Sequence, residues 1–379
     1  MFKEKGQGRL LTATCVAIIA LFSLARSQPA PAQVRADWKE KWEKVLSDAK
    51  KEGKVAVWGH PGELIRNAVT VEFRKAFPDI SVEFSAARGG EHGAKITAER
   101  DGGVYSVDVV VSGTTTALTY FKPIRALDPV EPVLILPEVT DLKNWRDNKL
   151  DFADVEGKLN LAFAEKVKNP LIYNPNLVKE GEIDELYELL NPKWKGKIII
   201  NDPLPSGAGN VTFRWIWQVL GPEKATEYYR RIRAQAAAVD RDERRQLESV
   251  SQGKYAINFG SSDRLVAQFL KRGLKFRVLE QFQDHIGFTT AGANSILLIN
   301  KRPHPNAAAV FVNWLLGKAG QAAWTKATDY PSRRLDAPTD HLPSYVVPKA
   351  GRKYWANHYE KDVRRSPEEE KILKELFGR

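Results

Sequence analysis

The sequence predicts a two-lobe α/β protein in which the second lobe is inserted in the first and two crossover strands join them. Three observations carry this. Short apolar strands alternate with amphipathic helices from Val55 onward, the pattern of a parallel sheet covered by helices. Residues 186–209, LYELLNPKWKGKIIINDPLPSGAG, then restart that pattern as a helix end, a turn, a strand and a small-residue loop that opens another helix. Finally, Ser295 to Ile299 forms an apolar strand placed to return to the first lobe.

In order along the chain, residues 1–32 precede the fold. Lys3, Lys5 and Arg9 make a basic start, and Leu10 to Ala25 is an uncharged apolar run. That run falls short of the roughly 20 residues of a membrane span. Ala30-Pro31-Ala32 has the small-x-small pattern of a cleavage site, so 1–32 is expected to be a secretory signal peptide. Asp37 is placed as the N-cap of a helix that ends at Gly53. Val55–Trp58 is the first strand, and Gly59-His60-Pro61-Gly62 a tight turn. Leu64 to Ala76 is helical, and Pro78 closes it. Ile80–Phe84 is a strand, residues 92–100 a helix, and Val107–Val111 a buried strand whose end, Ser112-Gly113-Thr114, opens the next helix.

Residues 122–158 have little periodicity and are expected to be surface connections. Leu159–Phe163 and Leu171–Tyr173 are strands flanking a polar segment. In the second lobe Ile198–Ile200, Tyr255–Phe259 and Phe276–Leu279 are expected strands, with helices near 209–220, 223–233, 242–252 and 262–272. Helices at 307–316 and 320–327 follow the returning strand, and a polar, aromatic tail ends in a helix near 367–377. The expected division is 33–163 with 292–379 as lobe 1 and 164–291 as lobe 2.

Composition narrows the function. Cys15, the only cysteine, lies in the leader, so the remaining chain has no thiol nucleophile, disulfide or cysteine metal site. The formal charge is +11; the leader holds Lys3, Lys5, Arg9 and Arg26 against Glu4, which leaves about +8 on the rest. In an exported protein such a surplus favours anionic solutes over nucleic acid. The six histidines are scattered, and no G-x-S-x-G, H-E-x-x-H or S-x-x-K stands in a chemical context, so an exported enzyme is the least favoured class. The loop Ser206-Gly207-Ala208-Gly209 before a helix offers free backbone N–H groups and the positive end of a helix dipole to an anion. Its plainer reading is a capped turn.

An exported two-lobe α/β chain with two crossovers points to a type II periplasmic binding protein fold. Five segments in order resemble the periplasmic iron(III)-binding family of ABC-transporter solute-binding proteins. They are VEFRKAFPDISVEF, ITAERDGGVYSVDVVVSG, PLIYNPNLV, NPKWKGKI and AGANSILLINKRPHPNAAAVFVNWLLGKAGQAAW, within residues 54–335. The resemblance implies a periplasmic, monomeric binding component that delivers a small-molecule ligand to a permease in the inner membrane, without enzymatic activity, cofactor or nucleic-acid partner.

The ligand positions depart from that family. Its tyrosine pair falls on Asp263-Arg264, its acidic ligand on Gly113, and its histidine approximately on His60. Ferric iron wants anionic oxygens, and an arginine repels a bare cation, so no protein metal site is expected. The alternative is a ferric iron or ferric-chelate binding protein of an iron importer. The family's anion loop corresponds to Ser206–Gly209. The expected ligand contacts are therefore His60, Ser112 and Thr114 from the first lobe and Ser206, Gly207, Ala208, Gly209, Ser262, Asp263 and Arg264 from the second. Arg264, with one of Arg241, Arg244 or Arg245, is the expected clamp on a carboxylate or phosphate.

Overall fold

The computed structural model describes residues 31–205, 207–261 and 263–378, without the side chains of 31–36, 263 and 264. Leader residues 1–30, Ser206 and Ser262 lie outside the described residues. No described helix is long and apolar enough to cross a membrane.

The first helix spans Pro31–Glu52, so Asp37 sits inside it rather than capping it. Pro31 at its start matches the pre-set φ that the first helical position takes, and the residues between the two are compatible with a helix. The other end of this helix has a second task. The Glu52 carboxylate accepts hydrogen bonds from Asn306 N at 3.2 Å and Ala307 N at 2.7 Å. It thereby satisfies orphan N–H groups at the start of the helix Pro305–Leu316, which is buried from Ala307 to Leu316.

Seven strands make the first sheet: β1 (Lys54–Gly59), β2 (Ser81–Ala86), β3 (Val109–Ser112), β4 (Leu127–Asp128), β5 (Asp151–Phe152), β6 (Asn160–Ala162) and, far along the chain, β14 (Ser295–Ile299). Their order is β2-β1-β3-β14-β6-β5, with β4 also on β14. β2, β1 and β3 are parallel, whereas β14 is antiparallel to both β3 and β6. The returning strand is thus central. Its residues Ile296 and Leu298 join Val57, Val109 and Phe311 in one core. Each such buried aliphatic side chain contributes roughly 1.5–3 kcal/mol.

Residues 122–158 are not only a surface connection. Val130, Leu134, Val139 and Trp145 enter that core, and Trp145 Nε1 donates to the Val139 carbonyl at 2.8 Å. Their irregular spacing carries no helical or strand period, which is the signal a pattern reading needs.

The second sheet contains β8 (Leu171–Tyr173), β9 (Ile198–Asn201), β10 (Ala238–Asp240), β11 (Ile257–Phe259) and β12 (Arg277–Leu279), in the order β10-β9-β11-β8-β12. β10, β9 and β11 are parallel, and β8 is antiparallel to β11 and β12. A third sheet lies on the crossovers. β13 (Gly287–Thr290) pairs antiparallel with β7 (Lys166–Lys168) and parallel with β15 (Tyr354–Ala356) from the tail. The tail was expected with the first lobe. Its final helix, Pro367–Phe377, instead buries Leu373 and Phe377 in the second core, with Phe377 6.0 Å from the Tyr229 ring. The apolar stripe of this helix shows that one face is buried and not which surface receives it.

Candidate ligand-binding site

In an open α/β sheet, ligands bind outside the carboxyl ends of the parallel strands. In the first sheet that edge carries His60 after β1, Arg88 two residues after β2, and Gly113-Thr114 after β3. Ala87 N donates to the Gly59 carbonyl at 3.0 Å, so the sheet register extends to the base of Arg88. Arg88 is exposed and forms no ion pair among the described residues. Its sequence surroundings, a small-residue turn, gave no reason to single it out.

Burial pushes the His60 imidazole below its ordinary pKa, and the Arg88 charge adds to the effect. Behind it His92 stacks on Trp58, with ring centroids 5.1 Å apart. Burial, then the neighbouring His60 and Lys95, push His92 down to about 4. Both imidazoles are held toward the neutral form, as expected for histidines in a positive, partly desolvated edge.

Ser112 and Thr114 lie at the same edge, but their side chains point into the fold. Thr114 Oγ1 accepts from Asn160 Nδ2 at 3.1 Å. Ser112 Oγ is buried without a hydrogen-bond partner among the described residues, opposite Ser295, whose hydroxyl is in the same condition. Gly113 explains one departure from the iron-binding pattern. A Cβ there would lie 2.4 Å from the Gly292 carbonyl oxygen, so this turn excludes the acidic side chain that the family places there.

On the second lobe the corresponding edge carries Asp202 after β9, Arg241 after β10 and Gly260-Ser261 after β11. The helix Ala208–Leu220 starts from Gly207, with no side-chain cap among the described residues and no acidic residue in its first turn. The small residues have a packing role as well. A Cβ on Gly209 would lie 2.4 Å from the Asn201 carbonyl oxygen, and one on Gly260, at φ +77°, would lie 3.3 Å from Gly209 Cα. The loops after β9 and β11 therefore touch backbone to backbone. Below them Gln246 Oε1 accepts from Asn258 Nδ2 at 2.8 Å and from Asn201 Nδ2 at 3.3 Å, which fixes the strand ends.

The arginines of the 241–245 cluster are committed. Arg241 Nε donates to Asp202 Oδ2 at 2.8 Å, and Arg245 grips Asp240 through two bonds of 2.6 and 2.5 Å. Arg244 stands 3.9 Å from Glu248 and over the Phe269 ring. The backbone of Asp263 and Arg264 opens the helix Asp263–Lys271; their side chains, like Ser206 and Ser262, lie outside the described residues.

The turn Ala291–Asn294 before β14 packs on Tyr330, whose ring also carries Lys166 Nζ 4.3 Å from its centroid. A buried charge cluster lies near the segment after β6. Asp151, Glu165 and His358 bring their ligand atoms within 4.8 Å of one another. Its buried cation is Arg333, which bonds Glu165 and stands 3.3 Å from Asp151; Arg146 also bonds Glu165, and Lys149 stands 3.5 Å from Asp151.

A model of the bacterial extracellular solute-binding proteins matches residues 68–347. The chain belongs to this family. No curated protein matches the sequence. Solved structures show that this solute-binding protein has the type II periplasmic binding protein fold. An extracellular solute-binding protein from Bordetella parapertussis aligns over 86% of this chain and 98% of its own, with a TM-score of 0.66 and 14% identity. Iron-bound HitA from Pseudomonas aeruginosa aligns over 85% and 99%, with a TM-score of 0.60 and 17% identity. The periplasmic binding protein AfuA from Actinobacillus pleuropneumoniae, with fructose-6-phosphate bound, aligns over 85% and 97%, with a TM-score of 0.58 and 18% identity.

Proposed function

We propose that this protein captures a small anionic solute between its two lobes in the periplasm and delivers it, as a monomer, to the permease of an ABC importer. The reading rests on what the two strand edges each present. One presents Arg88, without an ion partner among the described residues, beside His60; the other presents the start of the helix Ala208–Leu220, without a side-chain cap among the described residues. A ligand that touches both edges favours the closed arrangement by its differential affinity for it. Arg264 and Ser262 complete the second edge in this proposal. A ferric chelate is the second reading, supported by the likeness to iron-bound HitA. In it the chelator supplies the ligands, because Gly113 leaves no room for a protein carboxylate.

The test is native mass spectrometry of the mature chain from residue 33, purified from its own periplasm, with a visible absorption scan. A retained organic mass that Arg88→Ala and Arg264→Ala lose supports the anion reading. A coloured sample with an iron-sized mass replaces it with the ferric one.

A further inference from the structure

A second polar pocket lies between the helix Ala208–Leu220 and the tail. It has a volume of about 280 Å³, and Arg214, Trp217, Trp355, Lys361, Arg364 and Arg365 line it. Asp362 and Glu369 are the acidic residues of its wall. Four cations face two carboxylates, and one oxygen of Glu369 is engaged by the Ser366 amide at 2.6 Å.

Two donors in this wall are buried without a hydrogen bond, and the Arg214 guanidinium is otherwise held by an ion pair with Glu369. Arg214 is only 9% exposed, and its Nε has no hydrogen-bond partner among the described residues. Glu369 Oε1, at 3.6 Å, pairs with it by charge but is too far for a hydrogen bond. Arg214 Nη2 makes one bond, to the Arg364 carbonyl at 3.2 Å. Trp355 Nε1 is likewise buried without a partner, and its ring centroid lies 6.0 Å from the Arg214 guanidinium. Buried donors left unpaired are costly, and both of these want an acceptor.

We propose that this pocket binds a small oxyanion, a phosphate or a carboxylate group, with Arg214 and Trp355 as its donors and Lys361, Arg364 and Arg365 as its surrounding charge. The site is distinct from the solute site. It reaches that site through Arg365, whose Nη2 donates to the Leu204 carbonyl at 2.7 Å, within the loop that leads from β9 to the helix Ala208–Leu220. The anion would fasten the tail to the second lobe beside this loop.

Inorganic phosphate and acetate, each titrated calorimetrically into the mature chain at fixed ionic strength, test the proposal. One of them should bind, and binding should raise the thermal midpoint. Trp355→Phe keeps the ring and removes the donor; it should weaken that binding several-fold. Arg214→Gln should weaken it about tenfold or more. Arg88→Ala, at the other site, should leave this binding intact. Binding of neither probe, or binding unchanged in Trp355→Phe, overturns the proposal.

Discussion

Arg241 and Asp202 bridge the ends of β10 and β9, with Nε 2.8 Å from Oδ2. The two partners are unequal: the Asp202 side chain is 4% exposed and that of Arg241 64%. Asp202 Oδ1 also accepts from Leu204 N at 3.0 Å, so this carboxylate holds the loop as well as the arginine. Asp202→Ala should cost about 1–3 kcal/mol in urea denaturation, the scale for stripping partners from buried polar groups. Arg241→Ala should cost about 0–1 kcal/mol, as for an exposed ion pair. Equal losses would show that the pair acts by charge and not through the loop.

Arg88 is exposed at its strand edge, so its removal should leave the melting temperature unchanged. It should weaken capture of the retained solute by about tenfold or more, the scale of a hydrogen bond to a charged group. Calorimetric titration of Arg88→Ala against the parent reads this directly.

His92 should make stability depend on pH. Its folded pKa of about 4 lies below the unfolded value near 6.5, so the unfolded chain takes up the proton first. Stability from this group is complete above about pH 6.5 and is lost as pH falls toward 4. His60, shifted the same way, adds with the same sign. The urea midpoint should fall across this window, and His92→Phe should flatten the slope.

Arg333 is 3% exposed and faces Glu165 and Asp151, which are 4% and 2% exposed. Arg333→Met should cost about 3–5 kcal/mol, because it leaves carboxylates buried without compensation. Two neighbours temper this: Arg146 also bonds Glu165, and His358 stands 3.0 Å from Asp151. Restoring stability with Glu165→Gln on top of Arg333→Met would identify uncompensated charge as the cause.

Gly113→Asp restores the residue type of the iron-binding pattern. Its Cβ would meet the Gly292 carbonyl at 2.4 Å, so the variant should lose about 1–3 kcal/mol and gain no ferric binding. A visible iron absorption band in this variant would refute the steric account.

Much of the fold was legible because its signals are local. The apolar strands at β1, β3, β9 and β14 and the turn after Leu190 each declare themselves within a few residues. β10, β13 and β15 do not. Each is three or four residues long and owes its state to partners far along the chain, as β13 does to Lys166–Lys168 and Tyr354–Ala356. Trp145 and Phe377 were readable as apolar, but not as members of one core or the other. The proposed site was legible as turns. The loops around Gly113 and Gly209 were found by their small residues, yet their backbone contacts come from distant segments. Arg88 was missed because only the order β2-β1-β3 brings it beside His60.

The central place of β14 has a consequence for how the chain is made. β3 and β6 are synthesised early, yet each waits for Ser295–Ile299 to fill the gap between them. Until then both present bare edges of the kind that recruit other chains. Everything from Phe163 to Asn294 must appear first, on the order of ten seconds at ~5–20 residues per second. The strands of the second sheet, all from residues 171–279, are complete before that gap can close. The nascent protein therefore carries a paired second sheet, its core still short of Leu373 and Phe377, beside an unfinished first sheet, and the exposed interval is when a holding chaperone has most to protect.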